Sequence, residues 1–213
     1  MSEPHRRIYL VRHGATDANL QHPYVLQGQR TDLPLAELGR RQAEAVASVL
    51  ASRQLAHVFS SPMRRAVETA TVIAAPHNLS VQPVAELSEC DVGRWEALSW
   101  ETIRLQDHEA WSAFEAHPGT APYAGGESFE QVQARAVPAI DRLLREHPRG
   151  DLVIVTHNVV ARVYLARVTK TPIDQARAIR VDNGAISVVL AAEGKQKLLT
   201  LNSAFHLQGL LVE

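Results

Sequence analysis

The chain has 213 residues, 46% of them apolar and 21% charged, with a formal net charge of −1. That length suits one domain, residues 1–213, with a sizeable core. The near-zero charge excludes a basic field that would recruit nucleic acid or an anionic membrane. The single cysteine, Cys90, excludes an internal disulfide and a cysteine metal cluster.

In chain order, "MSEPHRR" carries no apolar targeting stretch, and no run approaches the ~20 apolar residues that span a bilayer. The expectation is a cytoplasmic protein. "RRIYLVRH" reads as a buried first strand, with Ile8 to Val11 in continuous apolar order. From Leu35 the spacing of Ala43, Val46, Ala47 and Leu50 predicts a helix. "HVFSS" predicts a second strand running into "SPMRRAVETATVIAA", a helix expected to be capped by Ser61 with Pro62 at its first position. "VQPVAEL" predicts a shorter third strand.

The segment from Trp95 to Gly126 differs from its surroundings. It holds all three tryptophans, several acids and the Pro/Gly-rich exit "HPGTAPYAGGE". It reads as a helical insertion above the sheet, either an active-site lid or a peripheral apolar cluster. Ser128 and Gln131 form a capping-box pattern ahead of a helix carrying Phe129, Val132, Ala136, Ile140 and Leu143, with Pro138 expected to kink it. "DLVIVTHN" is the clearest strand, and "VVARVYLARV" the helix after it. "AISVVLAA" and "KLLTLN", joined by "EGKQ", predict a closing hairpin. The fold class is therefore α/β: a three-layer sandwich with a mostly parallel central sheet, helices on both faces and an antiparallel edge.

Ligands of parallel sheets bind beyond the carboxyl ends of the strands. Three predicted strands end in chemistry: Arg12 and His13; Ser60 and Ser61 leading to Arg64 and Arg65; Thr156 and His157. Arginine forks suit phosphate oxygens, and a helix start adds unpaired N–H groups. No glycine-rich loop with a following lysine is present. Glu96 stands where a cysteine-phosphatase loop at Cys90 requires arginine, and no serine sits in a nucleophile elbow. The ten histidines make no metal-ligand spacing on one helix face. No metal or cofactor is expected, and a histidine nucleophile is what remains. A general acid for the leaving oxygen has three candidates, Glu86, Glu89 and Asp91.

Together these stretches resemble the histidine phosphatase superfamily, in its phosphoglycerate-mutase-like branch. "LVRHGATDAN", "LQGQRTDLPLAELGRRQA", "SSPMRRAVETA", "ELSECDVGRWEAL", "IVTHN" and "LNSAFHL" are similar to its ordered motifs. The resemblance implies His13 as nucleophile, Arg12, Arg65 and His157 as phosphoryl ligands, and Glu89 as proton donor. It also implies that Asn19, Gln27 and Gly28 reach the phosphate or substrate. For Asn19, turn formation is an equal reading; Gly14 is expected to serve close backbone approach. Three positions depart from the resemblance. Ala36 stands where threonine is common and Ala97 where glycine is common, while Asn158 follows the second histidine and is expected to bear on the substrate pocket. The implied activity is hydrolysis of a small phosphorylated metabolite; the alternative is phosphoglycerate-mutase-type transfer. The insertion's single arginine, Arg104, against five acids favours water as acceptor. Those acids themselves read as a solvated face. Oligomeric state is not legible in the sequence.

Overall fold

The computed structural model describes residues 5–192 and 194–212; Glu193, in the expected hairpin turn, and the leading residues 1–4 lie outside the described residues. Its sheet has six strands: β1 (Arg6–Arg12), β2 (Leu55–Ser60), β3 (Val81–Pro83), β4 (Asp151–Thr156), β5 (Ile186–Ala192) and β6 (Lys195–Ser203). Their spatial order is β3-β2-β4-β1-β5-β6. β1 to β4 run parallel, and β5 and β6 complete the edge antiparallel. The expected α/β class and its mixed sheet are what the chain adopts.

Period-two alternation explains why β1 and β4 read as unbroken apolar runs. Ile8, Leu10, Leu152 and Ile154 face one core, and Tyr9, Val11, Val153 and Val155 the other. α2 (Glu37–Leu50) and α3 (Arg64–Ala74) cover the second face with Val46, Leu50, Ala66, Ala70 and Ile73. α6 (Phe129–Glu146) and α7 (Asn158–Thr169) cover the first. The capping box is present at α6: Gln131 N donates to Ser128 Oγ and Ser128 N to Gln131 Oε1. The helix continues across Pro138 for 18 residues. A four-residue α1 (Asp17–Leu20) follows β1.

The expected start of α3 needs correction. The helix begins at Arg64, with Met63 rather than Ser61 as its N-cap residue. Ser61 Oγ does accept from Met63 N at 3.3 Å, but it also bonds His157 Nε2 at 2.7 Å. The serine is shared with a histidine at the start of α7, just past β4, which no local pattern announces.

The segment after Trp95 holds α4 (Trp100–Gln106) and α5 (His108–Ala116). Trp95, Phe114 and Tyr123 are buried and pack edge-on or tilted at centroid distances of 4.6–5.9 Å, so this segment has a core continuous with that of α6 and α7. Three of its five acids, Glu101, Glu109 and Glu115, are exposed, as a solvated face requires, and three have partners. Glu96 accepts from Gly28 N, Asp107 from Arg94 and Trp95 Nε1, and Glu115 pairs with Arg177. Among the described residues no helix is long and apolar enough to cross a membrane.

Candidate active site

Register brings the chemistry together. Arg12 pairs with Thr156 across β1 and β4, so the next residues, His13 and His157, leave the sheet side by side with ring centroids 5.0 Å apart. β2 lies on the other side of β4, and the turn after it delivers Ser61 and Arg65 to the same rim. A cavity of about 510 Å³ opens there, lined by Arg12, His13, Asn19, Gln27, Glu89 and Asn158 among others.

His13 is 3% exposed. Its Nδ1 lies 2.7 Å from the Gly14 carbonyl oxygen, an acceptor, so Nδ1 carries the hydrogen. Nε2 is then the nitrogen with the lone pair, and Arg65 Nε donates to it at 3.3 Å. Burial, then Arg65 and Arg12, hold His13 well below the ordinary histidine range. The ring is therefore neutral, the state a nucleophile needs.

Arg65 is fully buried, and one N–H of each terminal nitrogen meets the carbonyls of Thr31 and Gly28 at 3.0 and 3.1 Å, leaving two N–H groups for a ligand. Its neighbour Arg64 points outward to Glu68. His157 is likewise buried and held neutral by burial and by Arg65. Ser61 takes its Nε2, while Nδ1 has no partner. Arg12 Nε and Asn158 Oδ1 are also buried without partners. Buried polar atoms are nearly always satisfied, so two unsatisfied ones on residues that line the cavity, Arg12 and Asn158, with His157 just behind that lining, point to a polar ligand.

Of the three candidate acids, Glu89 alone lines the cavity. Its carboxylate accepts from Asn158 N at 2.9 Å and Val159 N at 3.2 Å, the first turn of α7, and from Cys90 N. Glu86 pairs with Arg142 and Asp91 with Arg30. Arg135 fixes the segment: its guanidinium donates to the carbonyls of Glu86, Ser88 and Glu89 and forks onto Glu127. Gln29 also donates to the Glu89 carbonyl. Cys90 is buried, and burial raises its thiol well above its ordinary value, which leaves it unreactive.

Asn19 joins both readings made of it. Its Oδ1 accepts from Thr16 N, closing the capping box of α1, and from Asn183 Nδ2; the residue also lines the cavity. Gln27 lines it too, with its Oε1 held by the Thr16 hydroxyl. Gly28 does not line the cavity. A Cβ there would press on the Cys90 carbonyl and Val92 at 2.7 and 2.8 Å, and its own carbonyl orients Arg65, so it acts through backbone packing. Gly14 also packs backbone to backbone, against Gly39 of α2 rather than a ligand.

Sequence reading missed Arg162, Arg177, Tyr24 and Asn183, all on the cavity wall. Asn183 donates to the His13 carbonyl at 3.0 Å. The only signal for it was an Asn-Gly pair, which reads as a turn. Arg162 is one of two arginines, with Arg167, in a largely apolar helix, a weak signal. Arg135 is one of three arginines in the amphipathic α6, where the pattern reads as a solvated face.

Comparison with known proteins agrees with this geometry. Residues 8–204 match the histidine phosphatase superfamily (branch 1). Phosphoserine phosphatase 1 of Hydrogenobacter thermophilus is 28% identical over 97% of each chain. The adenosylcobalamin/alpha-ribazole phosphatase of Salmonella typhimurium is 29% identical over 92% of this chain and 96% of that one. Among solved structures, Bacillus stearothermophilus YhfR superposes with a TM-score of 0.86 at 28% identity, covering 94% of this chain and 98% of that chain. The chain belongs to the histidine phosphatase superfamily.

Proposed function

We propose that this member of the superfamily hydrolyses phosphomonoesters of small metabolites through a phosphohistidine on His13. The observation that carries the reading is the fixed tautomer of His13. With Nδ1 committed to the Gly14 carbonyl, Nε2 presents its lone pair beside Arg65.

Nε2 attacks phosphorus as the ester P–O bond breaks. Glu89, the one candidate acid on the cavity wall, is the group that gives a proton to the leaving oxygen. The resulting carboxylate takes a proton from water as that water attacks phosphorus; the P–N bond breaks, and phosphate and neutral His13 result. Arg12, Arg65 and His157 serve the phosphoryl oxygens, whose charge must be stabilised in place. Asn19 and Gln27 border the same oxygens, and Asn158 borders the leaving group. Holding Glu89 against the first turn of α7 lets one carboxyl serve both half-reactions without moving.

The testing experiment is a panel of phosphomonoesters followed for both released phosphate and isomeric product, with rapid acid-free quenching to trap phosphoenzyme. Phosphate release with a base-stable, acid-labile phosphoenzyme in the wild type, absent in His13→Ala, is the expected result. An isomer without phosphate would replace hydrolase by mutase; full activity in His13→Ala would reject the nucleophile.

A further inference from the structure

A second concavity lies at the opposite end of the sheet. β1 runs from Arg6, which lines it, to Arg12, which lines the active-site cavity, so roughly 20 Å of strand separates the two. Its volume is about 980 Å³, ample for a small ligand. Six cations stand on its wall: Arg6 of β1, Arg145 of α6, Arg149 of the α6–β4 connection, Arg167 of α7, Lys170 just after it, and Lys195 of β6. Among the described residues one acid lines it, Asp141, and Gln196 donates to that carboxylate at 2.7 Å. The side chains of Arg145, Arg149, Arg167, Lys170 and Lys195 are exposed and, among the described residues, make no hydrogen bond or ion pair.

Helix ends account for part of this set, since cations complement the negative end of the dipole. Arg145 and Arg167 stand in last turns, Lys170 caps α7, and Arg6 donates to the His147 carbonyl that closes α6. Arg149 and Lys195 belong to a connection and a strand, and no helix end calls for them. A chain of net charge −1 thus gathers a positive field in one groove, and like charges so gathered repel unless an anion sits among them. Close to that wall the Tyr164 hydroxyl is buried without a partner. The charges of Asp141 and Arg167 act on it, and burial first, then Asp141, raises its pKa above the ordinary tyrosine value. It stays an O–H donor with no acceptor.

Among the described residues the lining has no aromatic side chain, so it offers a nucleobase no stacking platform. Its concave shape suits a narrow ligand rather than a flat bilayer. We propose that this groove binds a linear oligophosphate, recognised through its charged oxygens alone, at a site separate from the active-site cavity. Arginine forks and lysine point charges both suit phosphate oxygens. The assignment is independent of the phosphatase reading.

Isothermal titration of the full chain with tripolyphosphate, orthophosphate and ATP tests it, at low ionic strength without divalent cations. The double variant Arg149→Glu/Lys195→Glu reverses two exposed charges at the end of the sheet away from His13, and its thermal melt should match the wild type. Any anion that enters the active-site cavity binds both proteins alike, so the difference between them reports the groove. The wild type should bind tripolyphosphate at least tenfold more tightly than orthophosphate. The double variant should lose at least tenfold of that affinity, Arg149→Gln/Lys195→Gln should fall between, and added salt should bring the wild type toward the variants. ATP should bind no more tightly than tripolyphosphate. Equal tripolyphosphate binding by wild type and variants, or none by any of them, would overturn the proposal. So would ATP binding tenfold tighter than tripolyphosphate and lost in the variants, which would make the groove a nucleotide site.

Discussion

The two ends of the cavity are built on different principles. At the inner end, His13, His157 and Glu89 are each positioned by a strand end or a helix start, and each has a backbone or buried side-chain partner. Arg65 alone spends three N–H donors on His13 and two carbonyls. At the outer end most of the wall comes from connecting segments, namely the Gln21–Tyr24 loop, Arg177, the strap through Asp182 and Asn183, and the short α4, joined by Arg162 of α7. Arg162 there is tied by one bond and Arg177 by a partly exposed pair. An over-determined inner end suits a reaction that demands fixed charges and geometry. An outer end made of loops suits a surface that sets substrate choice.

The sharpest way to break this contrast is at the inner end. His13→Ala should lower kcat/KM by roughly four orders of magnitude for every phosphomonoester, because removal of a nucleophile disables the whole cycle. Phosphate release measured across the panel checks it; a loss confined to some substrates would place His13 in recognition instead. Arg135→Met comes next. It removes five hydrogen bonds behind Glu89 without touching the cavity. We expect kcat to fall by roughly 10²-fold with KM little changed, read from steady-state kinetics; a pure KM effect would argue against positioning.

Acidity sharpens the contrast through stability. His13 and His157 are held below the ordinary histidine value of 6.5, by burial first and Arg65 next. On unfolding below pH 6.5 they take up protons that the folded state excludes. Stability from this source is thus present above 6.5 and lost as pH falls, by about 1.4 kcal/mol per pH unit for each histidine. Thermal melts between pH 7 and 5.5 should show the decline, and His13→Asn should make it shallower. The same depressed values mean that kcat/KM should not fall at pH 6.5 through protonation of His13.

The smallest effects belong to positions beside the cavity. Ala97, whose N–H donates to the Leu26 carbonyl of the outer wall, sits at φ 61°, a left-handed conformation that costs a side chain about 1 kcal/mol. Ala97→Gly should recover up to that amount. Ala36 is the N-cap residue of α2 and offers no side-chain acceptor; Ala36→Thr should add about 1 kcal/mol. Each should raise Tm by about 2–4 °C with kcat unchanged. A fall in kcat would show that these positions are coupled to the site.

Much of the inner end was legible because its residues follow apolar strand runs, whose ends must meet at one edge of a parallel sheet. Arg65 rather than Arg64 was separable only by resemblance, since both follow the same turn. Likewise Glu89 stood level with Glu86 and Asp91 by spacing alone and was singled out by resemblance; the structure adds that the start of α7 meets it. Gly28 carried a motif's prestige but turned out to position backbone. Arg177 and Tyr24 gave no signal and Arg162 a weak one, because an arginine in a helix or a tyrosine in a loop has the same local pattern whether it faces solvent or a cavity.

By itself the sequence determined the class of fold, the order of its strands and helices, and the set of polar residues delivered to the strand ends. Period and apolar burial are local properties, and local properties survive in one dimension. Only the tertiary structure decided which carboxylate lines the cavity, which tautomer His13 takes, and which of the adjacent Arg64 and Arg65 is buried against His13. Those outcomes depend on groups 50 to 170 residues apart in the chain, such as Arg65 with His13 and Asn183 with His13, and no local pattern encodes who meets whom.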